Sequence, residues 1–148
     1  MPGHSETRVL PYSPQQMYDL VADVGAYPKF LPWTAAARIR TTREVDGGRQ
    51  MDADLVISFK VFRERFTSRV TLLDGRIDTE YLDGPFKHLH SRWEFADHPD
   101  GCEVSFWVDF EFGNKLLQGA AGLFFDEAMH RIVRAFEGRA QELYGGQT

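Results

Sequence analysis

The sequence predicts an α+β fold in which a curved antiparallel sheet wraps around one long C-terminal helix and encloses an apolar cavity. Three observations predict it: Asp-Gly turns between alternating segments, a long amphipathic pattern near the C-terminus, and many aromatic residues. The 148 residues include 12 Phe, 5 Tyr and 3 Trp. This length fits a single domain over residues 1–148, since domains most often have about 100–150 residues.

The first elements should be a short strand and then a short helix that begins at Ser13. Ser13, Pro14 and Gln16 fit an N-cap, a first-turn proline and a capping-box partner. Apolar residues then follow at helical spacing at Met17, Leu20, Val21 and Val24.

Four Asp-Gly dipeptides, at residues 46–47, 74–75, 83–84 and 100–101, divide the middle of the chain into six or so strands. Asp-Gly favours hairpins because both residues tolerate positive φ. Apolar and polar residues alternate between these turns, so one face of the sheet should be buried and the other wet. In one segment the apolar row is Met51, Ala53, Leu55, Ile57 and Phe59, opposite Asp52, Asp54 and Ser58.

The same alternation places a few polar side chains on the apolar face, namely Glu64, Ser68 and Ser91. Residues 51–72 are too long for one strand of about 5–6 residues, so we expect a bend near Phe59, Lys60 and Val61. From Asn114 to about Tyr144, apolar residues recur at steps of three and four and predict one long amphipathic helix.

Composition excludes several classes of function. The net charge of -5 disfavours broad attraction to phosphate backbones, so no DNA partner is expected. Cys102 is the sole cysteine, which rules out an intrachain disulfide and a cysteine-based zinc site. No signal sequence or membrane-spanning stretch is recognisable. We expect a cytoplasmic protein and leave open peripheral contact with the inner membrane.

The sequence offers little material for catalysis or metal binding, and we expect no catalytic residue and no metal. Cys102 lies on an inward row, where a thiol usually packs. His88 and His90 share a strand face but lack a third ligand. A single Glu-x-x-His, at Glu127 and His130, is half of what a di-iron site requires.

A stiff aromatic connection, residues 24–33, differs from an ordinary polar loop. We call its second part, Tyr27 to Trp33, the lid; it contains Tyr27, Pro28, Phe30, Leu31, Pro32 and Trp33. Such a segment either gates a pocket or plugs the open end of the sheet. The run Leu123, Phe124 and Phe125 in the long helix either packs against the lid or forms a mouth that meets a membrane.

Basic residues cluster on two segments, at Arg38, Arg40 and Arg43 and at Arg63, Arg65 and Arg69. The simplest interpretation is cross-strand pairing on a solvated face. The expected partners are the outward carboxylates of a later strand, Glu103, Asp109 and Glu111.

Several separated motifs resemble one known family. They are residues 27–33 (YPKFLPW), 63–70 (RERFTSRV), 84–89 (GPFKHL) with 93–95 (WEF), and 135–140 (AFEGRA). Together they resemble the coenzyme Q-binding START-like family, its RatA-type ribosome-association toxin relatives and the wider polyketide cyclase/dehydrase superfamily. The resemblance spans essentially the whole chain and implies a helix-grip (START-like) fold around an elongated apolar cavity.

The resemblance implies non-catalytic binding of a polyprenyl quinone (coenzyme Q), as a carrier or chaperone for respiratory electron transport or quinone biosynthesis. No other cofactor is expected. Head-group donors would come from Tyr27, Ser68, Ser91 and Trp93. An inward Glu64 should be paired, protonated or at the mouth. With the lid, the full predicted site adds Phe62, Glu64, Phe66, Phe106, Phe110, Phe125 and Met129.

Two alternatives remain open. A RatA-like toxin would bind the large ribosomal subunit and block subunit association, with a steep salt dependence through Arg38, Arg63 or Arg65. An aromatase/cyclase-like enzyme would fold a polyketide in the cavity, since a fold does not determine its function. The sequence presents no credible acid/base pair for that chemistry.

Overall fold

The computed structural model describes residues 3–59, 62–113 and 115–145, without the side chains of Phe59, Phe62, Phe112 and residues 115–126. The predicted element order is confirmed. The elements are β1 (Gly3–Leu10), α1 (Pro14–Ala22), a 3₁₀ helix (Val24–Lys29), β2 (Thr34–Val45), β3 (Gly48–Phe59), β4 (Phe62–Leu73), β5 (Arg76–Asp83), β6 (Phe86–His98), β7 (Gly101–Phe112) and α2 (Lys115–Tyr144).

All seven strands form one antiparallel sheet in the order β1-β7-β6-β5-β4-β3-β2. Strands β2 to β7 follow one another as hairpins, and β1 joins the far edge beside β7. The stretch between β1 and β2, which holds α1 and the lid, therefore connects the two opposite edges of the sheet.

The predicted hairpin turns are confirmed at all four Asp-Gly dipeptides. Gly47 at φ 82° and Gly75 at φ 68° adopt the left-handed backbone that favours glycine. The expected bend near residue 60 is instead a full reversal, because Phe59 and Phe62 face each other across the β3–β4 pair. Lys60 and Val61 lie outside the described residues.

The start of α1 is capped as predicted. The Ser13 hydroxyl accepts a hydrogen bond from the Gln16 backbone N at 3.0 Å, and Gln16 Oε1 accepts one from the Ser13 backbone N at 2.9 Å. The predicted place of Val24 on this helix is wrong. The helix ends at Ala22, and Val24 begins the 3₁₀ helix with its side chain still buried.

Both α-helices pack against one face of the sheet, which we call the inner face. Their buried residues belong to the same core as the inward rows of the strands; they are Met17, Leu20 and Val21 of α1 and Met129, Val133, Phe136 and Ala140 of α2. The rings of Trp93 and Phe136 lie 4.9 Å apart and join β6 to α2. The helix-grip architecture is confirmed.

The opposite, outer face carries ion pairs, but their partners differ from the prediction. The Arg69 Nε donates to Asp52 Oδ1 at 3.0 Å, and Arg43 lies 3.3 Å from the same carboxylate oxygen. The β7 carboxylates cannot serve β4, because β5 and β6 lie between the two strands. One β7 carboxylate, Glu111, instead lies 3.4 Å from Lys87.

Asp54 was expected on a wet face, yet only 6% of it is exposed. The Thr67 hydroxyl donates to Asp54 Oδ1 at 2.5 Å, and Arg40 lies 3.8 Å from Oδ2. A buried carboxylate needs such partners because an unpaired one is costly to desolvate. The covering groups come from β2 and β4, on either side of Asp54.

Candidate functional site

The lid is bound to α2 by aromatic contacts. The Tyr27 ring lies 5.5 Å and the Phe30 ring 5.3 Å from the ring of Phe136. The Arg139 guanidinium carbon lies 5.5 Å from the Phe30 centroid. Such ring pairs stabilise a contact by more than the apolar area they bury. They therefore hold the lid in a closed position against α2.

The Tyr27 hydroxyl is already used within the protein. It donates to the backbone oxygen of Val21 at 2.5 Å, where α1 approaches its end. Burial raises the pKa of this hydroxyl well above its usual value, so it stays protonated and keeps that bond. Tyr27 thus fastens the lid to α1 and offers a guest no free proton.

A cavity of about 50 Å³ lies beneath the lid, between α1 and the inner face of β3 to β6. It brings together three of the predicted site residues, Tyr27, Ser68 and Trp93. The described residues that line it are Val21, Val24, Tyr27, Leu55, Ser68, Val70, Ile77, Thr79 and Trp93. The resemblance implied an elongated cavity; the space enclosed by the described residues is compact.

Ser68 is the most deeply buried polar side chain of this lining, with 2% exposed. Thr79 is the other hydroxyl beside it, on neighbouring β5. The cavity is therefore apolar with one polar corner, a lining typical of sites that orient a largely apolar ligand.

Aromatic rings continue from the cavity in two clusters. Phe106 lies 4.4 Å from Trp93. Further along, Phe86 lies 5.1 Å from Phe66 and 5.7 Å from Phe110. Met129 of α2 is buried in the same core. The predicted residues Phe66, Phe106, Phe110 and Met129 are thus buried in the core, but none of the four is among the lining residues of the cavity.

The remaining predicted residues lie elsewhere. Ser91 is half-buried opposite Thr79 and does not line the cavity. Glu64 is exposed and is not among the lining residues of the cavity. Pro28, Leu31, Pro32 and Trp33 are half-buried in the lid. The side chains of Phe62 and Phe125 lie outside the described residues.

Sequence reasoning missed part of the lining. Leu55, Val21 and Val24 had been assigned to the core alone, and Ile77 and Thr79 had not been singled out. A signal was present in β5, where Ile77 and Thr79 alternate with Asp78 and Glu80. Alternation identifies the inward row, but it does not indicate which inward positions border an unfilled space.

The lining provides hydrogen-bonding groups and little acid/base chemistry. Among the described residues that line it, the titratable side chain is Tyr27, held protonated by burial. Across the parts of the chain that the structure describes, no cluster of three or more His, Cys, Asp or Glu is arranged to hold a metal ion. Over the same described residues, no helix is both long and apolar enough to cross a bilayer.

A larger, open groove of about 410 Å³ lies at the other end of α1. It runs between the start of that helix and the β2–β3 and β4–β5 turns, beside Tyr18, Arg49 and Phe95. None of the predicted site residues lines it. The cavity under the lid is therefore the candidate site.

A seven-stranded antiparallel sheet that grips a C-terminal helix over a lidded cavity defines a START-like protein. The chain belongs to the family described as polyketide cyclase / dehydrase and lipid transport, whose model matches residues 10–137. This confirms the resemblance seen in the sequence. The family description covers both an enzyme class and lipid transport.

Named relatives match almost the whole chain. The ribosome association toxin RatA of Rickettsia prowazekii is 38% identical over 97% of this chain and 99% of its own. The mitochondrial coenzyme Q-binding protein COQ10 homolog B of Xenopus laevis is 35% identical over 97% of this chain and 60% of its own. The solution structure of the 18 kDa protein CC1736 from Caulobacter crescentus has a TM-score of 0.80 at 39% identity, covering 98% and 99% of the two chains.

Proposed function

We propose that the protein binds a polyprenyl quinone in the cavity beneath the lid and acts as a carrier or chaperone for it, without catalysis. The observation that carries this proposal is the Ser68 hydroxyl, which borders the apolar cavity on a side chain that is 2% exposed. A quinone oxygen accepts hydrogen bonds and would accept one from this hydroxyl. Similarity to a coenzyme Q-binding protein supports the choice of guest.

Aromatic side chains would surround the apolar isoprenoid tail of the quinone. A tail leaving the Ser68 corner would pass Trp93 and Phe106 and continue toward Phe66 and Phe110, all of them buried. Burial of an isoprenoid chain against such rings is favourable in proportion to the apolar area removed from water. The quinone ring itself would stack or pack edge-on against Trp93.

Binding requires this closed form to open. A cavity of about 50 Å³ accommodates little more than a water molecule, which occupies about 30 Å³ in the liquid. The lid must therefore separate from Phe136, and the inner rings must move apart, before a quinone can enter. A ligand shifts the protein toward that open form in proportion to its preference for it.

Catalysis is not part of the proposal because the described lining holds no acid/base pair. A cyclase reaction needs a group that removes a proton and another that returns it. Tyr27, the titratable lining group, is engaged with Val21 and remains protonated. The lining supports holding and orienting a guest.

The test is organic extraction of the protein purified from a quinone-producing host, followed by mass spectrometry. An unrelated protein with an apolar pocket, purified alongside, controls for carry-over of membrane lipid. We expect a polyprenyl quinone in stoichiometric amount. An empty extract, repeated after quinone is supplied in detergent, would contradict the proposal.

A second candidate function is association with the ribosome. It is favoured by the name of the bacterial RatA relative and by three exposed arginines, Arg38, Arg63 and Arg65. Contacts to phosphates release counterions, so such binding should weaken steeply with added salt. Co-sedimentation with large ribosomal subunits over a salt series tests it. Quinone loading should change little over the same series.

A further inference from the structure

Trp33, the last residue of the lid, has an unusual backbone conformation. It adopts φ 63°, and among the described residues it is the only one other than glycine with a positive φ. The left-handed region is unfavourable for a bulky residue, because Cβ approaches the following carbonyl oxygen. Trp33 follows Pro32 in a turn, and a proline before a residue with positive φ is the arrangement of a type II turn. That second position normally carries Gly or Asn, so a Trp there strains the backbone.

Trp33 lies between two attachments of the chain. On the side of the sheet, the Ser58 backbone N of β3 donates to the Trp33 backbone oxygen at 2.8 Å. On the side of the lid, the ring of Phe30 packs against Phe136 of α2 at 5.3 Å. Backbone strain persists where the surrounding structure determines the position of the chain on both sides. These two attachments account for the left-handed conformation of Trp33.

The chain immediately after Trp33 is also irregular. Thr34 pairs with Ile57 and Ala36 pairs with Val56, so the register of β2 on β3 shifts between Thr34 and Ala36. An extra residue in one strand bends that strand and interrupts the regular ladder. The lid therefore joins the sheet through a strained residue followed by an irregular stretch of strand. Hinges lie at such element ends, where a few residues absorb a large change in φ and ψ.

We propose that Trp33 is the hinge on which the lid opens, and that its left-handed backbone relaxes when the lid rings leave Phe136. Opening removes the attachment on the lid side, so the Trp33 backbone can return to the negative φ that a Trp prefers. The strain therefore favours the open form and offsets part of the ring contacts that hold the lid closed. This inference rests on the proposed quinone function, since it specifies how the same cavity opens to its guest.

Strain in the closed form affects affinity as well as opening. A guest that binds the open form has an apparent affinity reduced in proportion to the fraction of protein that is open. A backbone that disfavours the closed form raises that fraction. The residue at position 33 should therefore alter quinone affinity through its backbone preference, separately from any contact that its ring makes.

The test compares Trp33→Gly with Trp33→Ala, because both variants lack the ring and differ in backbone preference. Glycine adopts a positive φ without strain, whereas alanine retains the cost of Cβ. Trp33→Asn is a second test, since asparagine also tolerates the left-handed region. The matched control is Ala35→Gly, an alanine-to-glycine change two residues away at a position without positive φ. Circular dichroism and thermal melting establish that the variants are folded.

Limited trypsin digestion measures opening of the empty protein, with mass spectrometry to follow the cut after Lys29. Lys29 is exposed, but the next residue, Phe30, packs against Phe136 and Arg139, so the cut requires the lid to leave α2. The cleavage rate tracks the population of the open form when opening and closing are fast. We expect Trp33→Ala to be cut about fivefold faster than Trp33→Gly, from the cost of a left-handed Cβ. Trp33→Asn should also be cut more slowly than Trp33→Ala.

This order is the reverse of the one expected at an ordinary position. Glycine normally destabilises a folded segment relative to alanine, because glycine loses more conformational freedom on folding. Ala35→Gly should therefore be cut as fast as wild type or faster. Cleavage of Trp33→Gly that is as fast as that of Trp33→Ala, or faster, would overturn the proposal.

Titration with a short-chain quinone separates this proposal from the function on which it rests. We expect Trp33→Ala to bind quinone about fivefold more tightly than Trp33→Gly. If wild type binds quinone but the two variants share one affinity and one cleavage rate, the hinge proposal alone fails. If cleavage follows the expected order but neither wild type nor the variants bind quinone, the proposed function alone fails.

Discussion

At the scale of single residues, Ser68 carries most of the ligand hypothesis. A buried hydroxyl usually has a hydrogen-bond partner, since leaving one unsatisfied costs about 1–3 kcal/mol. Ser68 is 2% exposed and borders the cavity. A guest with an acceptor oxygen would accept a hydrogen bond from this hydroxyl.

We predict that Ser68→Ala weakens quinone affinity by about fivefold to tenfold, because one hydrogen bond contributes about 1 kcal/mol. Ser91→Ala is the matched control, since Ser91 lies on the inward row of β6 but not in the cavity lining. Titration with a short-chain quinone measures both. Equal effects would show that Ser68 has no special role.

Trp93 is a poor position for a binding test, since truncating a buried Trp costs about 3–5 kcal/mol of stability.

Asp52 provides a second prediction at this scale, one that concerns pH. Hydrogen bonds from Arg69, aided by Arg43, hold the pKa of this carboxyl below its ordinary value. A lowered folded pKa stabilises the protein above the unfolded value of about 3.9 and ceases to do so as pH falls through the folded pKa. This contribution is therefore present at neutral pH and lost in acid.

We predict that Asp52→Asn is less stable than wild type at pH 7 and that the difference closes as the pH falls through the lowered pKa of Asp52 in the folded protein. Urea denaturation across this range measures it. Asp97→Asn, at an exposed position, should leave the curve unchanged. A difference between wild type and Asp52→Asn that stays constant with pH would exclude ionisation as its cause.

At the scale of elements, the β5–β6 turn packs closely against β4 at Gly84. Gly84 adopts φ 140°, and a Cβ built on it would lie 2.6 Å from Phe66 Cβ. Two Cβ atoms do not approach this closely in real proteins, so the backbone at Gly84 or Phe66 would have to shift. Phe66 belongs to the ring cluster that also contains Phe86 and Phe110.

We predict that Gly84→Ala lowers the free energy of unfolding by about 2–4 kcal/mol, from the positive φ and the clash together. Gly138→Ala is the control. It lies in α2 with nothing within 4 Å of its added Cβ and should gain about 0.5–1 kcal/mol from helix propensity. Chemical denaturation measures both. Similar values for the two variants would contradict the clash.

The elements themselves were largely predictable from local chemistry. The Ser13 cap, the four Asp-Gly turns and the alternation of β3 depend on neighbours in sequence, and each has the expected structure. Asp54 shows the limit. Its burial comes from Thr67 and Arg40 on the two flanking strands, and no local pattern reports how such side chains cover a carboxylate.

The candidate site was less predictable for the same reason. Ser68 and Ser91 occupy equivalent inward positions in their strands, yet only Ser68 borders the cavity. The register of β4 on β5 shifts between Thr67 and Ser68, which changes the local approach of the strands. An irregularity of this kind arises from pairing between strands, so alternation within one strand cannot reveal it.

At the scale of the whole molecule, the topology explains why the lid closes the cavity. Strands β1 and β2 are consecutive in sequence but lie at opposite edges of the sheet. The chain between them must cross the inner face, and it carries α1 and the lid along that path. The segment between β1 and β2, which contains α1 and the lid, therefore covers the site.

The aromatic contacts between the lid and α2 also affect the residence time of a bound guest. If the protein carries a quinone as we propose, the guest would leave after Tyr27 and Phe30 separate from Phe136, and the barrier to that separation would set the residence time. A carrier must retain its cargo for longer than the search for a recipient lasts. Slow dissociation achieves this at moderate equilibrium affinity, and moderate affinity leaves the recipient able to take the cargo.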